Sequence, residues 1–292
     1  MSIQIAIASG KGGTGKTTVS VNLYYFLNQL LNNRVQLIDC DVEEPNDILF
    51  FDQAQLQSQH TVNQLIPEID TAKCTFCTLC AEYCAFNAIS IIPKLKFAHV
   101  SHSLCHSCGA CLYACKFGAV HEKPLEVGRV YNYEVSYGIG IAEGRLKVGS
   151  AMQTLMVKQV KRHQNPEAEI VLLDSPPGTS CPVVETISDA HYTILVVEPT
   201  PFGMHDFKLM VKLLSDVDVK FGVIINKAHM GNDEIYQYLR KEKIELLGEI
   251  PFMKEYARTY ARGELLTSIP AEVSKEYEKI AHRIIEIRTA MA

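Results

Sequence analysis

Gly10-Lys11-Gly12-Gly13-Thr14-Gly15-Lys16-Thr17 decides the fold of this chain. The run fits the phosphate-loop pattern G-x-x-x-x-G-K-[ST]. A short apolar segment, Gln4–Ala8, reads as a strand before it, and Lys16–Leu31 reads as a helix after it. Glycines let backbone N–H groups converge on phosphate oxygens, and the helix N-terminus adds positive potential. Gly10, Gly12, Gly13, Thr14, Gly15, Lys16, Thr17 and Thr18 are therefore candidate contacts to ATP. Lys16 would reach the β- and γ-phosphates, and the Thr17 hydroxyl would bind Mg²⁺.

Working outward, short apolar runs at Val35–Asp39, Glu169–Asp174, Thr193–Glu198, Phe221–Asn226 and Glu245–Ile250 read as buried strands. Helical patterns cover Ser150–His163, Asp206–Leu214, Asn232–Lys241 and Ala271–Ile287. Alternating strands and helices imply an α/β chain, with a mostly parallel sheet and helices on both faces. The chain has 292 residues, 47% of them hydrophobic, which suits one large domain plus a small module. Its net charge is −5 and it has no basic run, so no nucleic-acid partner is expected. There is no secretory signal pattern and no apolar stretch of membrane-spanning length, so the expected location is cytoplasmic. The apolar positions of the last helix, Ile280, Ile284, Ile285 and Ile287, are expected to pack on the sheet rather than on a membrane.

The alternation breaks between about Thr61 and Lys123, where an internal repeat appears. Cys74-x2-Cys77-x2-Cys80-x3-Cys84 is followed 31 residues later by Cys105-x2-Cys108-x2-Cys111-x3-Cys115. Both copies have the spacing of bacterial two-cluster ferredoxins. The expected domains are thus an ATPase core at 1–60 and 125–292, interrupted by a ferredoxin-like insert at 61–124. In that arrangement each cubane takes three ligands from one run and the fourth from the other. Cys74, Cys77, Cys80 and Cys115 would hold the first [4Fe–4S] cluster, and Cys105, Cys108, Cys111 and Cys84 the second. Ferredoxins usually carry proline after the fourth cysteine; here Ala85 and Lys116 stand there, which touches turn chemistry and not ligation. Zinc is the alternative, although its structural sites usually pair C-x2–4-C knuckles across a longer gap. His102, His106 and His121 are expected at the surface or behind the ligands.

The loop Lys11-Gly-Gly-Thr-Gly-Lys16-Thr-Thr resembles the deviant phosphate loop of the MinD/ParA/nitrogenase-iron-protein superfamily. That resemblance implies an ATP-dependent homodimer in which Lys11 reaches the partner's nucleotide. It would act there as a positive charge in trans, where a loop glycine run alone would leave it a solvated lysine. The resemblance extends to Leu37-Ile-Asp39-Cys-Asp41, where Asp41 would orient the attacking water and Asp39 would act near Mg²⁺. Their i, i+2 spacing at a strand end puts both on one face, although either can also serve a turn. In Ile170-Val-Leu-Leu-Asp174-Ser-Pro-Pro-Gly178, Asp174 would hold Mg²⁺ through water and the Gly178 N–H would lie near the γ-phosphate. Asn226, at the end of Val223-Ile-Ile-Asn, would contact adenine. Cys181 follows Asp174 at the offset of a cluster-bridging cysteine in nitrogenase iron protein, but no second bridging cysteine accompanies it, and a buried small residue is expected.

The implied activity is Mg-dependent ATP hydrolysis that gates electron transfer through two clusters to a protein partner. A factor that assembles or carries Fe–S or another metal cofactor is the alternative. A positioning ATPase and a cobyrinic-acid-type amidoligase rank below both.

Overall fold

The computed structural model describes residues 2–291. The chain runs through β1 (Ile3–Ala8), α1 (Lys16–Leu30), β2 (Val35–Asp39), β3 (Gln55–Ile69), α2 (Leu79–Glu82), β4 (Ile89–Ile92), β5 (Phe97–Val100), α3 (Ala110–Ala114) and β6 (Val120–Glu134). It continues through β7 (Gly140–Leu146), α4 (Gln153–Lys161), β8 (Ile170–Asp174), α5 (Cys181–Ile187), β9 (Tyr192–Val197), α6 (Pro201–Asp216), β10 (Phe221–Ala228), α7 (Glu234–Glu242), β11 (Leu246–Pro251), α8 (Lys254–Ala261) and α9 (Ala271–Met291).

Contacts divide it into two units. The first holds residues 1–59, 130–145 and 154–292; the second holds 60–129 and 146–153. The main sheet has the order β11-β10-β9-β1-β8-β2-β7-β6-β3. From β11 to β7 every adjacent pair is parallel. The six strands read from apolar runs are contiguous in it, from the β11 edge to β2, and β1, β2, β8 and β9 are buried on both faces, where no alternation is needed. In register, Asp39 lies beside Asp174 on one side and Glu143 on the other. Three carboxylates thus stand at the same end of adjacent parallel strands, the end where open α/β sheets bind ligands.

The core of the first unit packs α1 and α9 on one sheet face. Phe26 stacks on Tyr277 with ring centroids 5.8 Å apart. Ile280, Ile284 and Ile287 are buried, so α9 packs as expected. Ile280 fits on Gly248, where an added Cβ would lie 2.5 Å from it. No helix among the described residues is long and apolar enough to cross a membrane.

In the second unit β4 and β5 form an antiparallel pair. Its backbone repeats with its cysteines. Phe76, Thr78 and Asn87 have positive φ, and so do Ser107, Gly109 and Gly118, each 31 residues later. Helices α2 and α3 start at equivalent positions, Leu79 and Ala110. Four of these six positions are not glycine, so the loops carry a conformational cost of about 1 kcal/mol or more per residue that tertiary structure must offset.

Candidate functional site

The phosphate loop leaves β1 at Ala8 and enters α1 at Lys16. Gly13 and Gly15 have φ of 78° and 88°. At Gly15 an added Cβ would also meet the Asn226 amide at 2.1 Å, so only glycine fits there. Asn226 in turn donates from Nδ2 to the Thr14 carbonyl at 2.7 Å, tying the loop to the end of β10. Gly12 and Gly13 are exposed on the rim, whereas Thr14 is buried.

Beneath the loop, Asp174 organises the base of the site. Lys16 Nζ donates to its Oδ1 at 2.9 Å, Ser20 Oγ to the same atom at 2.8 Å, and Thr17 Oγ1 to Oδ2 at 3.1 Å. Burial works against the Lys16 charge, but Asp174 beside it, helped by Asp39 and Asp47, holds the ammonium's pKa above its ordinary value. Asp39 is fully buried and accepts N–H bonds from Asp41, Asn46 and Asp47 at 2.9, 2.8 and 3.1 Å. Burial and the Asp174 charge push its pKa up to about 7. Asp41, half-buried, is pushed up to about 6, chiefly by burial. The Gly178 N–H, expected near a γ-phosphate, donates to the Ser9 carbonyl at 2.9 Å.

Asp47 escaped the sequence reading. It opens a short 3-10 turn after β2 and is fully buried. Asp39, Asp47 and Asp174 bring carboxylate oxygens within 4.8 Å of one another. When ionised, Asp47 has no donor for either oxygen; when protonated, it can donate to Asp174. Burial, then the Asp174 and Asp39 charges, raise its pKa well above the usual carboxylate range. An all-oxygen set this acidic, countered by Lys16, suits a hard divalent cation such as Mg²⁺.

These shifts have a measurable consequence. The folded chain keeps the Asp39 and Asp47 protons to higher pH than the unfolded chain does, so stability falls as pH rises from about 4 through about 7. Asp47→Asn should stabilise the metal-free protein by about 1–3 kcal/mol at about pH 8, with the gain fading near pH 4. Thermal melts across that range check this; a variant profile parallel to the wild type would contradict it.

Beside the loop lies an apolar pocket lined by Gly15, Thr18, Asn226, Phe252, Met253, Tyr256 and Tyr260. Tyr256, from the unforeseen helix α8, donates to Asn22 at 2.8 Å and is pinned there. The pocket suits a flat ring on the open side of the loop. Lys11 sits on the rim, its Nζ 3.4 Å from Glu198.

In the second unit the cysteines fall into two cavities. One is lined by Cys74, Cys77, Cys80 and Cys115, the other by Cys84, Cys105, Cys108 and Cys111. Cys80, Cys105 and Cys111 are buried, while Cys77 and Cys108 are exposed. Cys74 Sγ accepts from the Phe76 N–H at 3.4 Å and Cys84 Sγ from the Ala88 N–H at 3.3 Å. Burial pushes the Cys111 thiol up to about 11. At Cys115 burial is outweighed by the N–H groups of Phe117, Gly118, Ala119 and Val120, which hold it below its ordinary value. Among the described residues no three thiols come within 4.8 Å of one another, the carboxylate trio being the only set that does. A tetrahedral zinc site needs sulfurs about 3.8 Å apart, from Zn–S bonds of about 2.3 Å.

His121 pairs with Glu68 at 3.0 Å on the surface. His106 stacks on Phe86, centroids 3.9 Å apart, in the wall of the second cavity. Cys181 corrects the expectation of a buried residue: it is exposed, because α5 buries the face bearing Pro182, Val183, Thr186 and Ile187. Cys40 is fully buried, and burial raises its thiol pKa strongly.

Residues 5–266 match the model of the CobQ/CobB/MinD/ParA nucleotide binding domain. The chain is 30% identical over 285 residues to an uncharacterised protein of Methanocaldococcus jannaschii, covering 97% of each. It is 22% identical over 299 residues to an iron-sulfur cluster carrier protein of the same organism, covering 97% of this chain and 84% of that one. The septum site-determining protein MinD of Pyrococcus horikoshii, complexed with Mg-ADP, shares the fold at a TM-score of 0.60 and 17% identity, covering 100% of this chain and 99% of that one. With the loop, the parallel sheet and the family match in agreement, the chain belongs to the CobQ/CobB/MinD/ParA nucleotide-binding family of P-loop proteins.

Proposed function

We propose that this chain is a Mg-dependent ATPase that works as a homodimer and carries two [4Fe–4S] clusters in a ferredoxin-like second unit. Its nucleotide state would gate electron transfer to a protein partner. The observation that carries the proposal is the partition of the eight cysteines into two crossed sets of four. The repeated left-handed residues support it further. Alternating backbone conformations turn successive N–H groups inward and form the concave anion cradles found at many Fe–S sites. Cys74, Cys77, Cys80 and Cys115 would hold one cluster and Cys84, Cys105, Cys108 and Cys111 the other. Such clusters supply one-electron redox chemistry.

At the nucleotide, Lys16 and the loop N–H groups would bind the phosphates, and the ring would lie in the pocket of Phe252, Met253 and Tyr256. Thr17 and Asp174 would hold Mg²⁺, which neutralises charge on the phosphate oxygens. Asp41 would orient the attacking water. Asp39 would fix the backbone of residues 41–47 through its three accepted N–H bonds. Lys11 would supply positive charge across the dimer interface.

Anaerobically isolated protein should contain about eight iron and about eight acid-labile sulfide per chain and should keep them against a ferrous chelator. A second reading, a cluster carrier, is favoured by the relative of that name. It predicts iron that passes readily to chelator or to an apo-acceptor. The burial of Cys80, Cys105 and Cys111 favours resident clusters. Zinc in place of iron would overturn both readings.

A further inference from the structure

Glu198 stands between the phosphate loop and the end of β10. It follows β9, whose neighbours in the sheet are β1 and β10. Its carboxylate is more than nine-tenths buried and bridges two lysines. Oε2 lies 3.4 Å from Lys11 Nζ, while Oε1 accepts from Lys227 Nζ. Lys227 also donates to the Gly13 carbonyl at 3.2 Å. The backbone of Glu198 is pinned as well: its carbonyl accepts from the Thr200 N–H at 2.8 Å, and Gly203 packs so closely that an added Cβ would lie 2.4 Å from that oxygen. The carboxylate is therefore a fixed point, and the two lysines are the movable partners.

The two ion pairs are unequal. Lys227 is held twice, by Glu198 and by the Gly13 carbonyl. Lys11 is held by its 3.4 Å contact to Glu198, and its side chain is 31% exposed. Removing Lys11 leaves Glu198 still paired with Lys227, so no buried charge is stranded. Release is consequently cheap, which is what a reversible restraint needs.

We infer that Glu198 is a positioning residue for Lys11: it holds this lysine against its own chain until a second copy with ATP draws it away. The inference rests on the reading that Lys11 acts across an ATP-dependent homodimer. Glu198 restrains Lys11 in cis and so sets the protein concentration at which ATP assembles the dimer. A partly exposed ion pair is worth up to a factor of about five in equilibrium, and a symmetric dimer must open two. Lys227 keeps the Gly13 end of the loop in place and is not itself released.

The test compares wild type, Glu198→Gln, Lys227→Gln and Lys11→Ala as full-length protein with Mg²⁺ and a non-hydrolysable ATP analogue. Analytical ultracentrifugation reads the dimer dissociation constant. Amine acylation of the analogue-free protein, read by mass spectrometry at Lys11, reports its restraint directly. Glu198→Gln is expected to tighten the dimer about 2- to 25-fold and to speed acylation of Lys11. Lys227→Gln leaves the Lys11–Glu198 pair intact and is expected to do neither. A wild-type dimer that Glu198→Gln leaves unchanged or weakens would overturn the restraint and spare the dimer reading. So would tightening by Lys227→Gln equal to that by Glu198→Gln, because general loosening of the loop would then explain both. A wild type that stays monomeric with the analogue, or a Lys11→Ala variant that dimerises as well as wild type, would overturn the dimer reading and the restraint with it.

Discussion

Lys11→Ala is expected to lower ATP turnover about 1,000-fold while leaving ATP affinity within a few-fold of wild type. The two loop lysines occupy different environments. Lys16 is 7% exposed and lies at the base of the site on Asp174. Removing it would strip the phosphates of their main protein charge and leave Asp174 in a buried, uncompensated group of carboxylates. Lys16→Ala should therefore abolish binding itself. Lys11 stands on the rim beside the exposed Gly12 and Gly13, where a second molecule can approach. A cation supplied from there adds charge stabilisation to the transferring phosphoryl group without being needed to bind it. Turnover and nucleotide affinity, measured separately, check the split. Equal loss of both in Lys11→Ala, or loss of neither, would contradict the trans role.

The second large effect concerns the crossed cysteines. Cys74→Ser and Cys115→Ser should each reduce iron to about half of wild type or less, because each removes a ligand from the same set. The double variant should lose no more than either single, since the two act as one unit. Cys115→Ser combined with Cys108→Ser should empty both sites. Iron analysis of the five proteins decides it. If Cys115→Ser proved additive with Cys74→Ser but not with Cys108→Ser, ligands would be grouped by their order along the chain, against the cavities seen here.

What the sequence disclosed was local chemistry. The loop from Gly10 to Thr17 is legible because its glycines, its lysine and its place between strand and helix are neighbours along the chain. The central strands are legible because Val35–Asp39 and Ile170–Asp174 are fully buried and mostly apolar. Strand β7 is buried but its Gly-Ile-Ala-Glu-Gly run is too poor in apolar residues to stand out, and β3 and β6 were missed for the opposite reason. Val62, Gln64 and Ile66 alternate with exposed Thr61, Asn63 and Leu65, and long stretches of Gln and Tyr carry no apolar run. Helix α8 is short and polar, with Tyr256 as its one buried anchor. Asp47 and Glu198 could not be singled out at all. One is an acid after a Pro-Asn turn and the other an acid after a strand. Their importance comes from tertiary neighbours: Asp39 and Asp174 for the first, Lys11 and Lys227 for the second.

The most direct test of a nucleotide-gated two-cluster protein is EPR of the anaerobic, dithionite-reduced chain with and without Mg·ATP. The account predicts the spectrum of two interacting reduced clusters, changed in shape or in reduction potential when Mg·ATP is added. A two-cluster spectrum indifferent to Mg·ATP would contradict the gating, and a protein with zinc and no EPR signal would contradict the clusters themselves.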